Sequence, residues 1–279
     1  MKTIILTDST SDISKENAKL IDVEVIALSV VFGDKSYKDG IEITKEEFFS
    51  ALESSSVNPT TSQPSPEEFL EIFEKCKENG DSLIYIGISS KLSGTIQSAK
   101  IAKELCDYDK IYIIDSLNVT SGLEVLVRAA CIFRDEGMPA DKIAEAITNL
   151  VPKVRLFAMV DTLKYLVRGG RLPKVAGVVG GALGIKPLVS IKDGKLEAIG
   201  TARGQKNAFE KICDLIEKEP IDETLPIIIT HSNDKQKKYE FEKFLVENGV
   251  KQDWLYGEVG TVVGTHAGPG AVGIVYFTK

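Results

Sequence analysis

The chain has 279 residues, of which 43% are hydrophobic and 27% are charged, and it carries a formal net charge of −7 at pH 7. These values are typical of a soluble globular protein with one large domain or two ordinary ones, and the acidic balance argues against nucleic-acid binding, which usually needs a basic face. No apolar run approaches the ~20 residues of a membrane span, and the first apolar run is too short for a signal peptide, so we expect a cytoplasmic protein without stable membrane insertion.

The first half of the chain alternates β-branched runs with helical patterns. The runs predict strands at 3–7, 23–32, 83–88 and 110–115. Helices are expected between them, because Thr44 and Ser65 each begin a capping-box pattern and Gly94 opens a third helical stretch. This alternation implies right-handed βαβ units and a parallel sheet covered on both faces, ending near residue 153.

The second half has a different pattern, in which several strands are joined by very short links. The strands are predicted at 156–160, 187–191, 195–200, 226–232, 253–259 and 271–278, and the helices near 162–168, 204–219 and 235–248. Short links favour antiparallel pairs. The predicted fold class is therefore α/β, with a parallel-sheet α/β domain over 1–153 and a mixed α+β domain over 154–279.

A glycine-rich segment, GPGAVG at 268–273, matches the spacing of dinucleotide-binding loops. A true loop of that kind opens a helix and is followed by an acidic residue about 20 residues on, but only residues 274–279 remain. The P-loop pattern is also missing from the sequence, and no cofactor is expected. We predict a tight glycine turn before the last strand. His266, just before this turn, is either a hydrogen-bonded loop residue or part of a polar site.

Hydroxyl-rich loops flank the predicted strands of the first half. They lie at 7–12, 58–66, 89–95 and 115–116. Ligands of parallel sheets bind beyond the carboxyl ends of the strands, and helix N-termini favour anions. Each Ser or Thr could simply cap a helix or close a turn. Together the loops predict a site for a small anion held by hydroxyls and amides. No metal is expected there, because the four cysteines are scattered without ligand spacing and suit buried thiols.

A catalytic interpretation is the alternative. Asp8, Ser93 and His266 could form a triad, which would make the protein a hydrolase or phosphatase acting on an acyl substrate through Ser93 and His266. However, Ser93 lies in K-L-S-G-T and lacks the G-x-S-x-G context of hydrolase nucleophiles. The sequence gives this alternative little support.

A family resemblance emerges from six motifs that occur in order between residues 3 and 278. They are TDSTSD (7–12), TSQPSP (61–66), SSKLSGT (89–95), TLKYLVRGGRL (162–172), IKP (185–187) and GTHAGPGAVG (264–273). Together they resemble the DegV family, which includes the fatty-acid-binding subunits of the bacterial fatty acid kinase. TLKYLVRGGRL and THAGPG are the most specific of the six.

The resemblance implies two α/β domains with one long-chain fatty acid between them. It implies that the fatty-acid carboxylate is held by Thr61, Ser62, Ser93 and His266, and that Arg203 contacts the partner or the acyl-phosphate. It also implies a carrier rather than an enzyme, which presents the carboxylate to a separate kinase subunit for acyl-phosphate formation in phospholipid metabolism. A lipid sensor without a kinase partner is a further alternative.

Two other features have both a structural and a functional interpretation. The glycine-rich stretch 175–185 could wall the acyl tunnel or form an ordinary packed helix and loop. Arg168 and Arg171 could be helix-end cations or surface ion-pair partners, or they could support the site or a basic docking face.

Overall fold

The computed structural model describes residues 2–55, 57–173, 184–250 and 253–279. The strands are β1 (Thr3–Asp8), β2 (Val23–Ile26), β3 (Ser29–Phe32), β4 (Lys35–Lys38), β5 (Thr60–Ser62), β6 (Ser82–Gly87), β7 (Ile111–Asp115), β8 (Val154–Met159), β9 (Ile185–Lys192), β10 (Lys195–Arg203), β11 (Ile228–His231), β12 (Leu255–Glu258) and β13 (Val272–Phe277). The α-helices are α1 (Lys15–Leu20), α2 (Lys45–Ser54), α3 (Pro66–Asn79), α4 (Thr95–Cys106), α5 (Ser121–Asp135), α6 (Ala140–Leu150), α7 (Lys164–Arg168), α8 (Gln205–Lys218), α9 (Lys235–Glu247) and α10 (Thr261–Ala267).

The first half forms the predicted parallel sheet. Its strand order is β2-β1-β6-β7, and every pair is parallel. Successive residues of β6 point to opposite faces, so that Leu83 and Tyr85 pack with α3 and α4 while Ile84 and Ile86 pack with α5 and α6. Both predicted capping boxes are present, at Thr44 before α2 and at Ser65 before α3.

The single strand predicted over 23–32 is wrong, because this run forms two strands in different sheets. The segment β2 continues the parallel sheet, whereas β3 is the middle strand of a small antiparallel sheet with the order β4-β3-β5. Between them the Leu28 N–H donates to Ser9 Oγ at 3.1 Å rather than to a neighbouring strand. The ladder is therefore interrupted, and the chain changes sheet.

The second half contains the predicted mixed sheet. The order is β10-β9-β8-β13-β11-β12, in which only β11 and β12 run parallel. The short link between β9 and β10 makes a hairpin whose Asp193 and Gly194 have φ of 49° and 78°, the left-handed conformation that two-residue hairpin turns need. Helices α8 and α9 cover one face of this sheet.

Helix α5 lies between the two large sheets. It packs against β1 and β6 of the first sheet and against β8, β11 and β13 of the second. One continuous core cluster therefore includes Ile84, Leu126 and Val275. The six-stranded sheet begins at Val154, but the division into domains 1–153 and 154–279 stays a prediction.

Two further sequence-based expectations concern the glycine-rich stretch at 175–185 and the lack of a membrane span. Residues 174–183 lie outside the described part of the chain, and they include most of the glycine-rich stretch that was expected to wall the tunnel. Within the described residues, no helix has the length and apolar character needed to cross a bilayer.

Candidate functional site

A cavity lies between the two halves of the molecule, and both contribute to its walls. The cavity has a volume of about 120 Å³. Aliphatic side chains dominate the lining. They include Leu28, Ile88, Val119, Leu156, Val160, Leu166, Val189, Leu196, Val259, Val262 and Val272. A narrow apolar space of this kind fits a polymethylene chain.

Thr61 reaches this cavity from the short strand β5. Its pairing with Val30 of β3 fixes the strand register. Because neighbouring residues of a strand point in opposite directions, Thr61 lines the cavity while Ser62 is exposed and does not. The structure thus separates two residues that the sequence placed together in the carboxylate site.

His266 meets Thr61 from the other half of the molecule. It lies in the last turn of α10, a helix that the sequence analysis missed, and its Nε2 is 2.9 Å from Thr61 Oγ1. The predicted glycine turn follows at once, where Gly268 and Gly270 have φ of 72° and 83°. Two motifs 205 residues apart therefore converge on one hydrogen bond.

The imidazole of His266 is neutral near pH 7. Burial, with smaller contributions from the nearby Arg171 and Arg168 guanidinium groups, lowers its pKa from 6.5 to about 4. Its Nδ1 is buried and has no hydrogen-bond partner among the described residues. Since an orphaned N–H is rarer in proteins than an under-used acceptor, we assign the proton to Nε2. Nε2 then donates to Thr61 Oγ1, which frees the Thr61 hydroxyl to donate into the cavity.

Ser93 lies in the loop between β6 and α4 and also lines the cavity. Its Oγ is 2.8 Å from Thr95 Oγ1 in the first residue of α4. The N-cap of this helix is Gly94, which provides no side-chain cap. The free N–H groups of the first turn therefore favour a negative charge near Ser93.

Arg171, which the sequence analysis left between a helix-end cation, an ion-pair partner and support for the site, lines the cavity. Its Nε donates to the Leu92 carbonyl at 3.2 Å and its Nη1 to the Gly169 carbonyl at 2.7 Å, which hold it just beyond the end of α7. Within the described residues, no ion pair involves it. Its charge remains available to an anion near Ser93, and no pattern in the sequence distinguishes it from Arg168, which donates to Asn58.

The proposed catalytic triad is not assembled. Asp8 is fully buried, and its carboxylate accepts hydrogen bonds from Thr10, from Tyr85 Oη at 2.8 Å and from the Ile88 N–H at 2.9 Å. The partner of His266 is Thr61 and not Asp8. Ser93 therefore has no base oriented by a carboxylate, and the geometry does not support a hydrolase mechanism.

Two further predictions concern metal binding and Arg203. No group of three or more His, Cys, Asp or Glu side chains suited to a metal ion occurs within 2–55, 57–173, 184–250 and 253–279. Arg203 is exposed at the end of β10 and does not line the cavity.

Comparisons with known proteins agree with this architecture. The chain matches the model of the DegV family, described as uncharacterised, over residues 2–279. It is 37% identical over 279 residues to a DegV domain-containing protein of Caldanaerobacter subterraneus, covering 100% of this chain and 99% of the relative. It is similar to the structure of a fatty-acid-binding DegV family protein from Thermus thermophilus, with a TM-score of 0.90, 30% identity and 100% of both chains covered. A stearic-acid-binding protein from Eubacterium ventriosum gives a TM-score of 0.89 and 30% identity over 100% of this chain and 99% of that one.

Proposed function

The chain belongs to the DegV family, and we propose that its cavity binds one long-chain fatty acid with the carboxylate beside Thr61, Ser93 and His266. The observation that carries the proposal is the combination of a narrow aliphatic cavity with hydroxyl and imidazole groups on its wall. Solved structures of relatives from Thermus thermophilus and Eubacterium ventriosum bind fatty acids, which supports the same ligand here.

The acyl tail would supply most of the affinity. Each buried methylene contributes about 0.8 kcal/mol, so about fifteen of them give an upper bound of roughly 12 kcal/mol. Loss of translational freedom and ordering of the tail offset a large part of this sum. The head-group contacts therefore need only to prevent the penalty of burying an unpaired carboxylate.

The head-group side chains suit that task. The hydroxyl groups of Thr61 and Ser93 can each donate one hydrogen bond to a carboxylate oxygen. The uncapped N-terminus of α4 and the Arg171 guanidinium group add positive potential. None of these contacts is a bidentate arginine clamp, which would hold both carboxylate oxygens. A single hydroxyl donor on a carboxylate oxygen leaves that oxygen a second lone pair for reaction.

The lipid-binding proposal is tested by denaturing extraction of the purified protein followed by mass spectrometry. We expect close to one fatty acid per chain, as one narrow cavity implies. Protein that is empty, and that also fails to take up added oleate or palmitate, contradicts the proposal. Replacing Ala158 of β8, which lines the cavity, by Leu should shorten or exclude the acyl chain. Replacing the exposed Ile199 of β10 by Leu is the control and should leave the lipid unchanged.

We further propose, from the family resemblance, that the protein is a carrier that presents the carboxylate to a separate kinase subunit. Labelled ATP and fatty acid should then give no acyl-phosphate with this protein alone, and acyl-phosphate should form when a fatty acid kinase subunit is added. Turnover by the pure protein would contradict the carrier role. The exposed Arg203 is the proposed contact with the kinase or the acyl-phosphate, so Arg203→Ala should slow the coupled reaction while the lipid stays bound. Lys195→Ala, at the opposite end of the same strand, is the matched control.

A further inference from the structure

Helix α10, which carries His266, begins beside the carboxyl groups of two aspartates of the first half. Asp12 Oδ1 accepts the N–H of Gly260 at 2.9 Å. Asp39 Oδ1 accepts the N–H of Thr261 at 3.2 Å and the hydroxyl of Thr261 at 2.8 Å. These bonds join positions 248 and 222 residues apart in the chain. The start of this helix is therefore held by groups that come from the other half of the molecule.

Both carboxyl groups are buried and lie beside the start of α10. Asp12 is 8% exposed and Asp39 is 6% exposed. A β-carbon on Gly260 would lie 2.8 Å from Asp12 Oδ1 and 3.6 Å from each carboxylate oxygen of Asp39. Only the first distance is too short for a β-carbon, so glycine at this position allows the Asp12 carboxyl group to approach the start of the helix, and Asp39 lies at ordinary contact distance.

The carboxyl group of Asp12 and the backbone of Asp39 are themselves held in place by hydrogen bonds. Asp12 Oδ2 accepts the Thr120 hydroxyl at 2.6 Å, and the Asp39 N–H donates to the Leu28 carbonyl at 2.9 Å. Neither Asp12 nor Asp39 lines the cavity. Their bonds to Gly260 and Thr261 connect them to His266 through α10, while Thr120 and Leu28, which they also bond, line the cavity directly.

The helix is short and well braced, so its two ends move together. The Gly264 N–H donates to the Gly260 carbonyl at 2.8 Å, and the Thr265 hydroxyl donates to the Thr261 carbonyl at 2.9 Å. Gly264 packs directly against the rings of Phe48 and Phe49 of α2. A displacement at Gly260 is therefore transmitted to His266, whose hydrogen bond to Thr61 tolerates only a few tenths of an ångström.

We propose that Asp12 and Asp39 are positioning residues of the head-group site, because they anchor α10 so that His266 Nε2 meets Thr61. The inference rests on the proposed function for the role of that hydrogen bond in lipid binding. The anchoring itself can be tested on the protein without added lipid.

The chain has only two histidines, so His266 can be followed by NMR of histidine-labelled protein, with His266→Asn to assign the signals. Asp39→Ala removes the acceptor for Thr261. The loosened helix should admit water to the ring and reduce its desolvation, which raises the pKa of His266 from about 4 by at least one unit. Asp39→Asn keeps an acceptor oxygen at the same place and should restore the wild-type value.

Two further variants and a labelled ligand complete the test. Thr261→Val removes one of the two hydrogen bonds to Asp39 and should raise the pKa of His266 by a smaller amount. If Asp39→Ala does not fold, Thr261→Val tests the positioning role in its place. Glu124→Gln changes a buried carboxyl group whose ion-pair partner is Arg128 and not a residue of α10. This control should leave the pKa of His266 unchanged. The carboxyl signal of bound [1-¹³C]oleate should move in Asp39→Ala and return in Asp39→Asn.

The outcomes separate this inference from the function on which it rests. A folded Asp39→Ala or Thr261→Val protein whose His266 titrates as in the wild type overturns the positioning role. A shifted titration in Glu124→Gln would also overturn it, because the effect would then not depend on contact with α10. Failure of the wild-type protein to bind oleate would refute the proposed function, while the histidine titration would still decide the anchoring.

Discussion

Gly169 packs against the imidazole of His266 so closely that a β-carbon at position 169 would collide with His266 Nδ1. Gly169 has an ordinary helical φ of −73°, so its backbone conformation does not require glycine. Glycine is required there because a larger residue would leave no space for the imidazole of His266. The first glycine of the VRGGRL motif therefore allows His266 to approach Thr61.

Gly169→Ala should displace the His266 ring and break its hydrogen bond to Thr61. Overpacking of this kind costs about 1–3 kcal/mol, measured as a lower free energy of unfolding in urea, and bound lipid should be released more readily. Gly170→Asn is the matched control, because position 170 has a φ of 72° with open space around it, and asparagine tolerates this conformation. Equal losses in the two variants would contradict the explanation.

Thr61→Ala and Ser93→Ala should each weaken lipid binding by about 10- to 150-fold, since one hydrogen bond to a charged acceptor contributes about 1.5–3 kcal/mol. The kinase-coupled reaction should fall much further, because small misplacements of a reacting group can cost ~100-fold in rate. Ser62→Ala distinguishes the site implied by the family resemblance, which includes Ser62, from the cavity lining in the structure, which does not. Its exposed side chain predicts no change, whereas the family resemblance alone predicts a loss. Lipid occupancy and acyl-phosphate formation are measured in parallel.

His266 should make the protein less stable in acid. Its pKa is about 4 in the folded state against 6.5 in the unfolded chain, so the unfolded state binds more protons between these values, and stability falls as the pH is lowered through them. The full loss is about 3 kcal/mol. The free energy of unfolding, measured in urea between pH 4 and pH 7, should depend less steeply on pH in His266→Gln than in the wild type. Parallel slopes would show that the ring is not buried in neutral form.

Asp12 should have the opposite effect. Burial raises the pKa of Asp12 from 3.8 to about 8. The neighbouring Asp39 adds a smaller increase, and the charge of Lys45 acts in the opposite direction. The folded state therefore holds a proton that the unfolded chain has lost, and stability falls as the pH rises from about 4 to about 8. Asp12→Asn should flatten the decline on the alkaline side. A variant that declines as steeply as the wild type would contradict the raised pKa.

The sequence predicted those parts of the fold that depend on local pattern. Both capping boxes, the parallel sheet of the first half and the antiparallel hairpin at Gly194 follow from residue order and spacing alone. The break between β2 and β3 did not, because it depends on where Leu28 finds a hydrogen-bond partner. Short elements such as β5 and α10 also escaped prediction, since their stability comes from tertiary contacts rather than from propensity.

The candidate site shows the same limit. Family motifs indicated Thr61, Ser93 and His266, and the structure brings all three to the cavity. Ser62 is turned away by strand alternation, which a three-residue strand does not reveal in sequence. Arg171 and Gly169 gain their roles only from contacts with distant segments. The local sequence marks the VRGGRL segment and offers site support as one interpretation of Arg171, but it does not show which distant residues they contact.

The position of α5 between the two large sheets has a consequence for unfolding. Since one core cluster contains residues from both halves, neither half can lose its packing without exposing apolar surface of the other. Denaturant titration should therefore give one transition, with an m-value that corresponds to the surface of the whole chain. Hydrogen exchange of the amides in β1 and β13 should report the same opening free energy, as expected of a single cooperative unit.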